Sequence, residues 1–194
     1  MTLTSDQTAS FSVDRIKRHF SESGVDPYET VVWERRDARL TNFLDGSVSF
    51  EQLDIEFPAE WSATTSNIVA QKYFRGALES AGRESSLRQV IQRVTSTIRQ
   101  WGEKDGYFID AEEADTFEAE LAWLLLHQRC AFNSPVWFNI GVEGVPQQAS
   151  ACFILAVDDD MDSILNWYAE EGRIFKGGSG AGVNLSRIRG SAEA

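Results

Sequence analysis

With 194 residues, 42% of them apolar, the chain has material for one large domain or one and a half small ones of an ordinary globular composition. Its formal net charge of −12 excludes the basic surface that tracks a nucleic-acid backbone, while backbone N–H groups and a few arginines leave small anionic ligands open. Two cysteines do not make a disulfide scaffold, the longest apolar run (Leu121 to Leu126) is too short to span a bilayer, and Met1 to Ser12 lacks the apolar centre of a signal peptide. A cytoplasmic protein with no membrane and no nucleic-acid partner is expected.

In chain order, residues 1–12 are Ser/Thr-rich and read as a disordered tail. Val13 to Phe20 reads as a short helix. Two strands are expected at Thr30–Trp33 and Arg39–Phe43, then an Asp45-Gly46 turn and an irregular strand from Val48 to Phe57. Glu34 to Asp37 supply charged edges to this β-rich unit. Helices follow at Ser62–Arg75, Ser85–Trp101 and after Asp110. The second carries Leu87, Val90, Ile91, Val94, Ile98 and Trp101 on one face, with Gly102 and Gly106 punctuating its end. The third has Asp110 and Glu113 at capping-box spacing, a stripe of Ala114, Phe117, Leu121, Leu124 and Leu125, and acids on a mainly solvated face. His19 and His127 sit in no ligand-spaced cluster, so no metal site is expected. A change of pattern between 105 and 130 suggests a domain boundary.

Beyond Arg129 the residues that can carry chemistry concentrate. Asn133-Ser134-Pro135 reads as a turn offering a hydroxyl and an amide. Cys152 opens the apolar run Cys152–Val157, which reads as a buried strand ended by Asp158-Asp159-Asp160. Its thiol is either redox-active or a small buried hydrophobe, and it is able to pair with Cys130 if the two are close. Cys130 fits the buried reading better, beside the third helix. The acids suit the N-terminus of a helix from Met161 to Phe175. The cluster Lys176-Gly-Gly-Ser-Gly-Ala-Gly-Val183 matches neither a P-loop nor a dinucleotide fingerprint, so it is either a flexible loop or a place where backbone meets ligand.

Taken together, Asn-Ser-Pro (133–135), Ser-Ala-Cys-Phe (150–153), Asp-Ser-Ile (162–164) and Gly-Ser-Gly-Ala-Gly-Val-Asn-Leu-Ser-Arg-Ile-Arg (178–189) resemble the catalytic chain of ribonucleotide reductases, in the adenosylcobalamin-dependent class II form. Pro27-Tyr28, Trp33-Glu-Arg-Arg36, Asp45 to Glu51 and Lys72 to Gly76 are similar to that class's N-terminal region. The resemblance implies an α/β fold: an α+β N-terminal domain over 13–105, then, over 106–194, the beginning of a ten-stranded α/β barrel, truncated. It implies replacement of a ribonucleotide's 2′-hydroxyl by hydrogen through thiyl-radical chemistry. Cys152 matches the first member of the cysteine pair that supplies protons and reducing equivalents. Ser134, Ala151, Cys152 and Gly180 match substrate-contacting positions, and Asp159 and Arg189 match positions at the deoxynucleotide effector site. The implied partners are a ribonucleoside diphosphate, a deoxynucleotide effector, a thioredoxin-like or other dithiol reductant, a C-terminal reductase chain and a second copy across the helix from Met161.

The sequence departs from the family by ending at Ala194, so the thiyl-radical cysteine, the partner of Cys152 and most of the adenosylcobalamin site are expected elsewhere, with no turnover from this chain alone. The alternative is a non-catalytic nucleotide-binding or interaction module that associates with a reductase.

Overall fold

Two long alternating segments separated by Asp45-Gly46 form a hairpin in the computed structural model, which describes residues 15–193. Strand β1 (Trp33–Thr41) pairs antiparallel with β2 (Val48–Pro58), and Gly46 takes the positive φ of 71° that the turn requires. The break expected at Glu34–Asp37 is instead a register shift inside one continuous strand. There the Asp37 carboxylate accepts from the Asp54 N–H at 2.9 Å, which holds the irregularity in place. Arg36 turns inward from the same stretch and donates to the Trp61 carbonyl at 2.7 Å and to Ser66 Oγ at 2.9 Å, tying the hairpin to the first helix. Thr30 ends a single 3₁₀ turn, Pro27–Thr30, where a strand was expected; Asp26 caps it and the two residues that follow it lead into β1.

Helices α1 (Ala63–Lys72), α2 (Leu87–Lys104) and α3 (Ala111–Leu126) start where short polar residues satisfy their free N–H groups. Ser62 caps α1 and Asp110 caps α3, while Ser86 and Gln89 form a reciprocal capping box on α2. Gly102 does not end α2 but lies inside it, because a side chain there would strike the Phe108 ring, with 2.5 Å from an added Cβ to Cε2. One hydrophobic core joins Ile55 and Phe57 of β2, Phe74 just after α1, Leu87, Val90 and Ile91 of α2, and Ala122, Leu125 and Leu126 of α3. Helices on either side of the boundary expected near 105 therefore share a core.

The helix expected over Val13–Phe20 begins outside the described residues, as does the tail at 1–12, and residues 15–20 are not helical. They lie against α3, whose acids supply their backbone partners. Glu113, only 4% exposed, accepts from the Ile16 N–H at 2.7 Å and the Ile109 N–H at 2.6 Å, and Glu120 accepts from Phe20 and Ser21. The solvated acidic face expected on α3 is thus partly a docking strip.

Asn133-Ser134-Pro135 is also more than a turn. Asn133 is the N-cap and Pro135 sits in the first turn of a short helix, α4 (Ser134–Asn139), whose Val136 joins Val94 and Ile140 in a second small core. The last unit is strand β3 (Cys152–Ala156), helix α5 (Met161–Lys176, capped by Asp160) and strand β4 (Gly180–Asn184). β3 and β4 pair in parallel, with the helix as their crossover. The strand expected to be buried has one face open: Cys152 and Ala156 are exposed, and Ile154 is 90% exposed. Two strands with one covering helix leave the other side of the sheet without a partner layer.

Candidate functional site

Residues directly opposite one another in a parallel pair point to the same face, and the pairing here places Cys152 against Gly180, Ile154 against Gly182 and Ala156 against Asn184. These six form the open face, while Phe153, Leu155, Ala181 and Val183 form the more covered one. The Gly180 N–H donates to the Ala151 carbonyl at 2.8 Å. Ala151, Cys152 and Gly180, singled out in the sequence on separate motifs, thus meet at one end of the sheet. Both cysteines are free and exposed. That removes the reading of Cys152 as a buried hydrophobe, and it removes the disulfide with Cys130. Cys130 is not in the core either: it sits at the rim of an apolar cavity of about 380 Å³ with Trp61, Phe132 and Trp137, and partial burial raises its thiol above the ordinary value.

Ser134 is the first residue of α4. Its hydroxyl is 3.1 Å from the Tyr73 hydroxyl at the close of α1. The other end of α4 is fastened to the strand pair by Asn139, 4% exposed, whose amide donates to the carbonyls of Gln148 and Gly177, each at 3.0 Å. Gln148 in turn bonds Ser179, and the Ser179 hydroxyl donates to the Ser150 carbonyl. A continuous set of bonds therefore runs from α4 to the residues flanking Ala151 and Gly180. No direct bond from Ser134 to Ala151, Cys152 or Gly180 occurs among the described residues.

Arg93 of α2 sets the position of α4. Its guanidinium pairs with Glu84 at 2.7 Å and donates to the carbonyls of Ile140 at 2.6 Å and Trp137 at 3.3 Å. These are two of the carbonyls at the C-terminal end of a short helix that would otherwise lack partners. Gly141, at φ 71°, lets the chain turn away against Arg93, where an added Cβ would fall 2.7 Å from its side chain. Neither Arg93 nor Asn139 was singled out from sequence. Asn139 ends an apolar run and Arg93 lies on a helix between apolar positions, and no local pattern marks either as a clamp.

At the opposite end of the strands, roughly 13 Å from Cys152 at 3.3 Å per residue, Asp159 and Arg189 form an ion pair at 2.6 Å. Asp158 and Arg187 form a second at 2.7 Å. Both pairs are solvent-exposed, and such pairs contribute little to stability, so an anion entering here competes for the arginines at small cost. The two sets of sequence-derived residues thus occupy two ends of one β-α-β unit. Among the described residues there is no group of His, Cys, Asp and Glu fit to hold a metal ion, and no helix is long and apolar enough to cross a membrane.

Residues 35–128 match the family model of class II vitamin B12-dependent ribonucleotide reductase, and residues 150–194 match that of the ribonucleotide reductase barrel domain. The vitamin B12-dependent ribonucleotide reductase of Streptomyces clavuligerus is 59% identical over 92% of this chain and 18% of its own length. Those of Rhodopirellula baltica and Agrobacterium fabrum are 42% and 32% identical over 89% and 92% of the chain, each over 19% of the relative. The chain spans about a fifth of the length of these curated relatives. The open β-α-β unit is consistent with the start of such a barrel, since no closed barrel forms among the described residues. With two models of one enzyme matching successive parts of the sequence, and relatives of that name aligned across nine-tenths of it, the chain belongs to the class II vitamin B12-dependent ribonucleotide reductase family.

Proposed function

We propose that this chain supplies the N-terminal part of the catalytic chain of an adenosylcobalamin-dependent ribonucleoside-diphosphate reductase, and that Cys152 is one of its two reducing thiols. The observation that carries this reading is the exposed Cys152 thiol in register with Gly180 at the mouth of a parallel strand pair. In the proposed reaction two thiols are oxidised to a disulfide while the ribose C2′–OH is replaced by C2′–H and water leaves. Cys152 gives its proton to the departing hydroxyl, and a second cysteine, outside residues 15–193, completes the disulfide. An external dithiol then restores both thiols. Ser134, Ala151 and Gly180 hold the substrate: a hydroxyl fixed by Tyr73 and a strand start without bulk at Gly180 suit a polar ligand lying against the backbone.

Asp159 and Arg189 are proposed to take the deoxynucleotide effector, with Arg189 exchanging its carboxylate for phosphate. No residue of α5 is buried, and Met161, Leu165 and Tyr168 are more than half exposed, which supports its use as the helix that meets a second copy. The proposed junction between the N-terminal unit and the barrel falls after α3, whose Leu126 is the last buried member of the shared core. Adenosylcobalamin would supply the radical that starts such a reaction. The described residues do not fit it: the cleft of about 800 Å³ beside Gly177 and Gly178 is open and lined by residues of α4, the end of α5 and the loops around them, so cofactor binding is assigned elsewhere in the reductase.

The test is reconstitution: the chain, a C-terminal reductase segment, adenosylcobalamin, a dithiol and a labelled ribonucleoside diphosphate. Deoxyribonucleotide is expected only from the complete mixture, and Cys152→Ser is expected to abolish turnover with the dithiol. Full multiple turnover by that variant would refute the assigned role. Deoxynucleotide binding without turnover from a folded mixture would favour a non-catalytic module.

A further inference from the structure

The junction of α1, α2, α3 and α4 does not close completely: it leaves an apolar cavity of about 380 Å³. Its floor belongs to the main core, with Leu87, Ile91 and Leu125 each at most 3% exposed. Four aromatic residues, Trp61, Tyr73, Phe132 and Trp137, wall it. None of the chain's 30 acids or 18 lysines and arginines belongs to the lining. The polar tips of the aromatics are already bonded within the chain. Trp61 Nε1 donates to the Leu126 carbonyl at 2.9 Å, Trp137 Nε1 donates to the Phe132 carbonyl at 3.0 Å, and the Tyr73 hydroxyl is 3.1 Å from that of Ser134. The walls therefore offer ring surface rather than free N–H donors. Free polar groups sit at the rim, where the Gln128 side-chain amide and the Cys130 thiol make no hydrogen bond among the described residues. Gln128 is held there at a φ of 54°, a left-handed conformation uncommon outside glycine.

Imperfect packing is the simpler account of this space. Interiors are close-packed, however, and a void with no partner atoms forfeits dispersion contacts along its whole lining. A packing defect also gives no reason for aromatic walls over an apolar floor with the free polar groups at the mouth. That distribution is the one small-molecule sites share. An apolar cavity of about 150 Å³ is enough to take up benzene, so the space here has room for two fused rings.

We propose that this cavity binds an uncharged, flat and mainly apolar small molecule the size of two fused rings, with one polar group meeting Gln128 at the rim. A charged ligand is disfavoured because nothing in the lining can pair its charge. Trp137 belongs to α4 and the Tyr73 hydroxyl meets its first residue, Ser134, so an occupant also braces that helix. The site does not depend on the role proposed for Cys152.

The probe is indole, added to the purified chain while iodoacetamide alkylates its two cysteines, each followed by peptide mass. Cys130 lies at the rim and Cys152 on the open sheet face, so the reaction carries its own control. Indole should slow the alkylation of Cys130 saturably, by about tenfold at ten times its dissociation constant, and leave the rate at Cys152 unchanged. Indole-3-carboxylate should need a roughly tenfold or higher concentration for the same effect. Val69→Phe, which adds a ring inside the cavity, should abolish the protection with circular dichroism unchanged; if that variant does not fold, the two ligands on the natural chain decide. No saturable protection of Cys130, equal protection of both thiols, or an equal effect of the carboxylate would overturn the site. Repeated after addition of a C-terminal reductase segment, protection by indole should persist. A Cys130 that the segment itself shields, with no further effect of indole, would assign the cavity to packing within the reductase and overturn the small-molecule reading. None of these outcomes touches the turnover test of Cys152.

Discussion

Replacing Arg93 with Met tests whether the α4 clamp is structural in the sense described. Arg93 and Glu84 are each 12% exposed and 2.7 Å apart, so the pair is largely removed from water. Met keeps most of the side-chain volume but leaves the Glu84 carboxylate with only the Arg75 N–H, and leaves the Ile140 and Trp137 carbonyls without their donor. Breaking a buried pair by removing one partner costs about 3–5 kcal/mol, and the residual exposure puts the expectation at the lower end, about 3 kcal/mol. For a domain of this size that corresponds to a fall in Tm of roughly 6–12 °C. The assay is thermal and urea unfolding of Arg93→Met, Glu84→Gln and the double variant. Because the partners touch, the double variant should be less destabilised than the sum of the singles by at least about 1 kcal/mol. A loss below about 1 kcal/mol for Arg93→Met, or strict additivity, would refute the clamp.

Asn139→Ala should cost about 2 kcal/mol, since two carbonyls lose a buried donor, and amide exchange should rise across 148–180 more than across α2. Gly178→Ala places a Cβ 2.9 Å from the Phe138 ring at φ 81° and should destabilise by roughly 1–2 kcal/mol in denaturant unfolding; an unchanged midpoint would show that the turn relaxes freely. Glu120 is partly buried, which alone would raise its pKa, but the donors of Ser21 and Phe20 outweigh burial and hold it below the ordinary 4.5. A depressed folded value means the unfolded chain takes up protons first. Its contribution is therefore complete above pH 4.5 and is lost as pH falls through the lower folded value. Glu120→Gln should flatten that part of the stability-against-pH curve and raise amide exchange at Phe20 and Ser21, while an identical acid limb in the two proteins would contradict the assignment.

Much of the architecture was legible because it is local. Helix starts at Ser62, Ser86, Asp110 and Asp160 follow from a side-chain oxygen reaching free N–H groups one turn ahead, and Asp45-Gly46 follows from the φ that a tight turn demands. The apolar stripe of α2 and the strand-helix-strand order around Cys152 are also properties of spacing. The family resemblance likewise rested on ordered words, and the comparisons agree with it. What spacing could not supply is everything decided by partners far along the chain. β1 runs through its charged stretch because Asp37 and Arg36 find partners at 54, 61 and 66. Glu113 is buried because the segment at Ile16 lies on it, and Cys152 is exposed because only α5 covers its sheet. Arg93 and Asn139 matter because they satisfy carbonyls more than 40 and nearly 40 residues away, at Trp137 and Ile140 and at Gly177. Periodicity sets which face of an element is apolar, whereas the cost of an unpaired buried polar group, which depends on the assembled chain, decides which polar residues hold the elements together.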